Sequence, residues 1–386
     1  MVCHAFHERI CTLSEIASAG TEFATARHGL RLASGLELLH GPGDQSLLFV
    51  RDRGTYIRLS RGAAEVIRSL TATNQHTDIV AEMEQDWPAS DRASTKEFID
   101  QLIQSGALIN AGEVTGKRHT DWIAWNPRDR LPLRFRLYRP DRIVMQCLAT
   151  RFRASGQATR IAFLAVAAIL ISICLANIAF GSGVNWKRLP WGIVVAALVI
   201  HVLLHEWSHM LACSFCGVKI RESGIAILYW ILPVFYIDRT DSYRLHQRWK
   251  LALIPSAGPL FDGCAAGIMA VAAWFASGDA YAVFKAISLL QAALFFINLN
   301  PLLPTDGFHA LEALCGRANT RQRAFTFLLS QLGLRPLPSH LNGLSGSERR
   351  IYMTYGAVSA AYVGVLACMT VARSSHLVAV VLENFR

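Results

Sequence analysis

The pattern of apolar and polar positions changes character near residue 160. Before it, apolar residues come in short groups at alternating or helical spacing, with charges every few positions; after it, they run in long uncharged stretches. Ile161 to Phe180 is twenty residues without a charge, enough at about 1.5 Å per residue to cross a hydrocarbon core of about 30 Å. Trp191 to Leu204 continues apolar straight into His205-Glu206-Trp207-Ser208-His209. Leu251 to Phe275, Ala282 to Asn300 and Ile351 to Ala372 supply three more spans, whereas Leu377 to Leu382 in the tail is too short to cross. The pattern therefore predicts a mainly α membrane protein, a polytopic bundle of about five spans over residues 161–386.

The earlier part reads as a small α+β unit. Leu36 to Leu39 and Ser46 to Val50 flank Gly41-Pro42-Gly43, the signature of a hairpin, and Tyr56, Ile57 and Leu59 make a further short strand. Ser60 is placed to cap a helix with Ala63, Ile67 and Leu70 on one face. A second helix is expected from about Thr77 to Asp86. A third opens at the capping box Ser94-x-x-Glu97 and buries Phe98, Leu102 and Ile103, after which Gly106 to Ile109 returns as a strand. Strands, three helices and a wing predict a winged-helix domain over residues 35–110, between an extension (1–34) and a linker with a membrane-surface segment (111–160). In that last segment Leu133, Phe135 and Leu137 alternate with Arg134, Arg136 and Tyr138, which suits either an ordinary strand or a ribbon lying on an anionic membrane surface.

Composition agrees with membrane insertion. Of the 386 residues, 52% are apolar and 17% charged, against roughly 25% charged in a typical soluble chain, and the mean hydropathy is +0.30. The net charge of +10 raises the question of nucleic acid, but its placement answers otherwise. With the N-terminus inside, the inner flanks of the spans hold fifteen Lys and Arg, from Arg151 to Arg350, and the outer flanks only Lys187, Arg188 and Arg373. That bias predicts a multi-pass protein of the cell membrane with a cytosolic N-terminus, and needs no nucleic-acid partner. The supposed reading helix, residues 92–105, sets Arg92 and Lys96 against Asp91, Glu97 and Asp100, a poor surface for phosphate. Nine scattered cysteines fit no disulfide framework, and no apolar core of a signal peptide occurs in the first thirty residues.

The chemistry concentrates in two spans. His205-Glu206-x-x-His209 places two imidazoles one turn apart on one helix face, the spacing at which both can hold one Zn²⁺, with Glu206 beside them as a base for water. Three ionisable groups at the end of an apolar span are costly unless paired or in use. Catalytic zinc sites often add a carboxylate, and Asp306 is the candidate. It follows Asn298-Leu299-Asn300-Pro301-Leu302-Leu303-Pro304-Thr305, and in an N-in topology the second and fourth spans both run inward, which brings His205, His209 and Asp306 to similar depth. His309 is a rival third ligand or a hydrogen-bond donor to a developing oxyanion. His201, one turn before His205, suits a supporting position better than a shared metal. Asn298 and Asn300 are further candidates for substrate binding or for supporting the ligands. Cys213 and Cys216 form a lone C-x-x-C, more in keeping with packing than with metal. Gly224 to Asp238 reads as extended chain despite Pro233, offering an edge near the metal to which a substrate strand can add.

A helical HExxH followed by N-x-N-P-x-x-P-x-D-G in a later span resembles the site-2 protease class (M50) of intramembrane zinc metalloproteases. The bacterial peptide zinc metalloprotease branch is most similar, through Asn300 to Leu311 and Ser256-Ala257-Gly258-Pro259-Leu260-Phe261-Asp262. The resemblance implies one Zn²⁺ per chain, His205, His209 and Asp306 as ligands, Glu206 as catalytic base, and a peptide or protein substrate cut near the cytosolic face. Two departures from many relatives are Thr305-Asp306-Gly307-Phe308 in place of Leu-Asp-Gly-Gly, and Asp262 in place of Asn. Tyr56-x-Arg58-Leu59-Ser60, Ala63-x-x-Val66-Ile67 and Leu102-x-x-x-Gly106-x-Leu108 resemble PqqD-like domains that grasp the leaders of ribosomally made precursor peptides, which implies such a leader as partner of residues 35–110. Alternatives for the chain are cleavage of a membrane-bound anti-sigma factor, or a receptor, immunity or export partner that binds peptide without cutting it; retention of Glu206 argues against the latter.

Overall fold

The structure, a computed structural model, describes residues 142–384 apart from 182, 221, 229–231, 317–318, 338–340 and 342. Before them it describes 10–11, 30–33, 35–40, 46–50, 55–59, 61–73, 98–110 apart from 101 and 104, 123–125 and 133–138. The helix expected at 77–86 and the capping box Ser94-x-x-Glu97 lie outside the described residues.

Among the described residues, five helices are long and apolar enough to cross a membrane: α3 (Gln157–Phe180), α4 (Trp191–Cys216), α5 (Arg248–Trp274), α6 (Gly278–Leu299) and the first part of α9 (Gly346–Asn384), through Met369. Their outward faces carry exposed Ile161, Phe163, Leu164, Val195, Ile200 and Val365, side chains that suit lipid and not water. Helix α5 is the most buried of the five and α3 and α9 the least, so α5 is the central helix, packed on α3, α4 and α6. Small residues let it sit there: Ala266, Ala270 and Ala273 are buried, and a Cβ on Gly267 would lie 2.1 Å from the Leu170 carbonyl oxygen of α3. Close backbone approach through small residues is the usual means of helix association in lipid. Polar ties add direction. Asn177 of α3 donates to Ser288 of α6 (3.0 Å), Ser288 donates to the Ala266 carbonyl of α5 (2.8 Å), and the buried Lys285 ammonium donates to the Asn177 backbone (3.3 Å) and side-chain oxygens.

Three shorter helices among the described residues flank the bundle ends. Helix α2 (Arg142–Ala154) precedes the first span, and its Arg153 donates to the Ser214 carbonyl (2.8 Å) in the last turn of α4. Short α7 (Asp306–Cys315) follows α6 across the proline-broken turn, and α8 (Thr320–Gln331) packs on α9. Helix α9 runs on without a break through the tail, so the apolar stretch Leu377 to Leu382, too short to span on its own, extends the last helix.

Ten strands are described. In chain order they are β1 (Ile10–Cys11), β2 (Leu30–Leu32), β3 (Leu36–His40), β4 (Ser46–Val50), β5 (Thr55–Leu59), β6 (Leu108–Asn110), β7 (Ile123–Trp125), β8 (Leu133–Tyr138), β9 (Ser223–Leu228) and β10 (Leu232–Ile237). The hairpin β3–β4 and strand β5 lie where the sequence places them, in a sheet of order β1-β5-β4-β3. Leu48, Val50, Ile57 and Leu59 of this sheet bury against Ala63 and Ile67 of α1 (Arg61–Thr73) and against Phe98, Ile99 and Leu102 from the helical turns at 98–105. The outer edge of β5 pairs in parallel with Ile10–Cys11. A second sheet has the order β10-β9-β8-β7, all antiparallel. The stretch 224–238 is thus a hairpin and not one edge: β9 is interior, and β10 is the outer strand, lying against α4. The alternating segment 133–138 is an interior strand of the same sheet.

Because α5 touches α3 backbone to backbone at Gly267, Gly267→Ala is expected to destabilise the bundle by about 1–3 kcal/mol through overpacking. Thermal unfolding of the purified protein in detergent reads this as a lowered midpoint.

Candidate metal centre

Helical spacing puts His205 and His209 on the same face of α4, and that face looks onto α5. His205 Nε2, His209 Nε2 and Asp306 Oδ2 form a nearly equilateral triangle, each pair 3.2 Å apart. All three residues are buried. Asp306 is the first residue of α7, delivered by the turn Asn300–Thr305. In that turn Asn300 Oδ1 accepts from Leu302 N–H (2.9 Å), and the Thr305 hydroxyl donates to the Asn300 carbonyl (2.8 Å).

The other nitrogen of each imidazole shows which way the ring is used. His205 Nδ1 lies 2.7 Å from Asp262 Oδ1, and His209 Nδ1 lies 2.8 Å from the Ile254 carbonyl, both of α5. A carboxylate and a carbonyl can only accept, so each Nδ1 carries a hydrogen, and in the neutral imidazole, the form that binds a metal, each Nε2 is an electron-pair donor. Two such nitrogens and a carboxylate oxygen converge on one point, a set that a proton serves in part and a divalent cation serves fully. The dimensions agree: bonds of about 2.0–2.1 Å in a tetrahedron separate neighbouring ligand atoms by about 3.3 Å. Burial works against a charge on Asp306. The Arg239 guanidinium at Oδ1 opposes that cost.

Helix α5 is the wall of the site. A Cβ on Gly258 would lie 2.4–2.6 Å from the ring atoms of His205 and His209, so only glycine lets the helix pass this close to the imidazoles. One turn on, Asp262 is fully buried. Besides His205 it meets His201 Nε2 at 3.0 Å and accepts from Asn298 Nδ2 at 2.8 Å. Gln291 Nε2 in turn lies 3.1 Å from His201 Nδ1. His201 and Asn298 thus meet at Asp262, one residue removed from the triangle. Glu206 is buried beside His205, and its Oε2 has no hydrogen-bond partner among the described residues. His309 is buried on α7 with its Nδ1 3.5 Å from Glu312 Oε2; the group that could hold a metal among the described residues is His205, His209 and Asp306. Asn300 donates to the Tyr362 hydroxyl of α9 (2.8 Å), which ties the turn to the last span and leaves Asn300 outside the triangle. Cys213 and Cys216 pack with Val218 and Ile254 in an apolar cluster.

Two site residues escaped the sequence reading. Asp262 stands in the sequence as a departure from relatives, and an acid in the middle of an apolar span is itself a signal. Arg239, counted among the inner flanking charges, is buried with its Nη2 3.5 Å from Asp306 Oδ1. It engages the oxygen that the triangle does not use.

Comparison with known proteins agrees with this geometry. Residues 193–285 match the family model described as Peptidase family M50. These likenesses support family M50. A Bacillus subtilis protein named "Putative peptide zinc metalloprotease protein YydH" is 25% identical over 129 residues, covering 33% of this chain and 49% of that protein. "Uncharacterized protein MJ0971" of Methanocaldococcus jannaschii is 29% identical over 72 residues, 19% of this chain and 20% of that protein. The chain therefore spans about half or less of the curated relatives it matches. No solved structure matches it. The M50 match contains His205, Glu206, His209 and Asp262 but ends before Asp306, so the third corner of the triangle rests on geometry alone.

Removing the charge of Asp262 leaves His205 without its carboxylate. Asp262→Asn is expected to weaken zinc retention by about 10–100-fold, the usual effect of losing a partner that orients a metal-binding histidine. Competition with a chromogenic chelator on the purified full-length protein measures it.

Proposed function

We propose that the chain is a membrane-embedded zinc metalloendopeptidase in which His205, His209 and Asp306 hold one Zn²⁺ and Glu206 is the catalytic base. The convergence of three acceptor atoms at 3.2 Å spacing carries this reading. When bound there, zinc supplies a Lewis acid that polarises the scissile carbonyl and makes water a competent nucleophile near pH 7. The protein does the rest. Asp262 and the Ile254 carbonyl lock the two imidazole rings. Glu206, buried in the same helix turn, takes a proton from the attacking water as the new C–O bond forms. It then passes that proton to the departing amine as the C–N bond breaks. The substrate must be extended at the cut, because helical hydrogen bonds shield the carbonyl. Strand β10, outermost in its sheet and against α4, is suited to hold such a segment through its backbone.

The bias of Lys and Arg to one side of the spans supports a cytosolic N-terminus and a cut near the cytosolic face of the cell membrane. Residues 35–110 act, in this proposal, as a PqqD-like unit that recruits the leader of a ribosomally made precursor peptide. We place the receiving edge in the region 47–59; there β4 is interior, and the outer edge of β5 is paired, among the described residues, at Tyr56 and Ile57. A peptide strand entering there exchanges a two-residue pairing for a longer one, while ordering the leader costs entropy, which together imply a dissociation constant on the order of micromolar.

Glu206→Gln keeps size and polarity but removes the base, so the full-length variant in detergent is expected to bind zinc and precursor peptide and fail to cut. Binding should be saturable and change little between low and moderate salt, unlike a counterion-driven nucleic-acid contact. Unchanged turnover in Glu206→Gln would refute the mechanism, and absence of precursor binding would refute recruitment.

A further inference from the structure

Strand β4 carries an uninterrupted apolar run, Leu47-Leu48-Phe49-Val50, and all four residues are buried. A strand with one face to water alternates; this one is covered on both faces. Leu48 and Val50 enter the core formed with α1. Leu47 and Phe49 point the other way and form a separate cluster with Tyr243, bordered by Leu39. Tyr243 belongs to the helical turn Thr240–Arg244, which joins β10 to α5 in the membrane part. The next residue, Arg244, lies over the Phe49 ring at 4.7 Å and pairs with Glu37 of β3 at 3.0 Å. The hairpin β3–β4 is thus seated on this turn by an apolar plug, a cation–π contact and an ion pair.

The same turn begins at the metal centre. Asp238 Oδ1 accepts from the Thr240 N–H (3.0 Å) and hydroxyl, closing the chain tightly around Arg239, and Arg239 reaches Asp306 Oδ1. Residues 238–243 are all buried. Four residues of chain, Thr240 to Tyr243, therefore connect Arg239, on the outer oxygen of Asp306, to Arg244, on the N-terminal hairpin.

We propose that docking of the β3–β4 hairpin on the Thr240–Arg244 turn positions Arg239 against Asp306 and so sets the affinity of the metal centre from the N-terminal unit. Leu47, Phe49, Glu37, Tyr243 and Arg244 are positioning residues in this arrangement. Arg239 occupies Oδ1 and leaves Oδ2 as a single ligand atom. The consequence is that a peptide bound to the N-terminal unit is held at a fixed place relative to β10, and a ligand that shifts the hairpin acts on Asp306. This inference rests on the zinc reading given above.

The test uses full-length protein in detergent and follows two readouts, zinc loss to a chelator and hydrogen exchange of the 238–245 backbone. Leu47 and Phe49 face away from the core around α1, so Phe49→Ser and Leu47→Ser unseat the hairpin without opening that core. Arg239→Gln is expected to speed zinc loss by about tenfold, as for other partners of a metal-binding side chain. Phe49→Ser and Glu37→Arg should move zinc loss toward the Arg239→Gln value and raise exchange in 238–245, while Phe49→Tyr, which keeps the plug and the cation–π face, should restore both. Unchanged zinc loss in Phe49→Ser and Glu37→Arg, or loss in Phe49→Tyr as large as in Phe49→Ser, would overturn the coupling. Wild-type protein that holds no zinc would instead overturn the metal site itself.

Discussion

Everything in the membrane part is arranged around keeping three electron-pair donors close together in an apolar bundle. Two imidazole nitrogens and a carboxylate oxygen 3.2 Å apart, with both rings held by acceptors on their far side, are poorly served unless a cation joins them. Keeping them there needs a helix that passes closely enough to hold both rings, which is why α5 has Gly258 against the imidazoles and Asp262 and the Ile254 carbonyl beneath them. It also needs α5 fixed in depth and rotation. The small-residue contact with α3 at Gly267 and the Asn177–Ser288–Ala266 chain supply that.

The parts legible in the sequence are those governed by local periodicity. Spans follow from uncharged length, and the pairing of His205 with His209 follows from one helical turn. Topology extends this one step: because the second and fourth spans run the same way, Asp306 comes to the depth of the histidines. The pairing of 36–40 with 46–50 follows from two apolar groups on either side of Gly41-Pro42-Gly43 in the sequence. What was not legible depends on how helices cross and chains turn back. Nothing local to Asp262 says that it lies under His205, and nothing local to Arg239 separates it from the neighbouring flank charges. The stretch 224–238 carries strand-forming residues throughout, and only the register of β9 on β10 shows the fold-back within it. The run Leu47 to Val50 is unbroken in its apolar character, which in so short a strand indicates a second packing partner.

The N-terminal unit and the membrane part meet through the segment that also reaches the metal centre. The sheet β10-β9-β8-β7 draws strands from both sides of the first two spans, with β7 and β8 ahead of them and β9 and β10 after. Strand β10, the seat of the β3–β4 hairpin at Tyr243 and the Arg239 contact on Asp306 thus share one short stretch of chain.

The central claim is that His205, His209 and Asp306 together hold one zinc, and X-ray absorption at the zinc K-edge of the detergent-purified full-length protein tests it most directly. The account predicts about one zinc per chain in a four-coordinate nitrogen and oxygen shell at about 2.0–2.1 Å, with the scattering of two imidazoles. In Asp306→Ala that shell should lose occupancy, and in His309→Ala it should not. Absence of zinc, a sulfur shell at about 2.3 Å from cysteine, or an unaltered site in Asp306→Ala with loss in His309→Ala would contradict it.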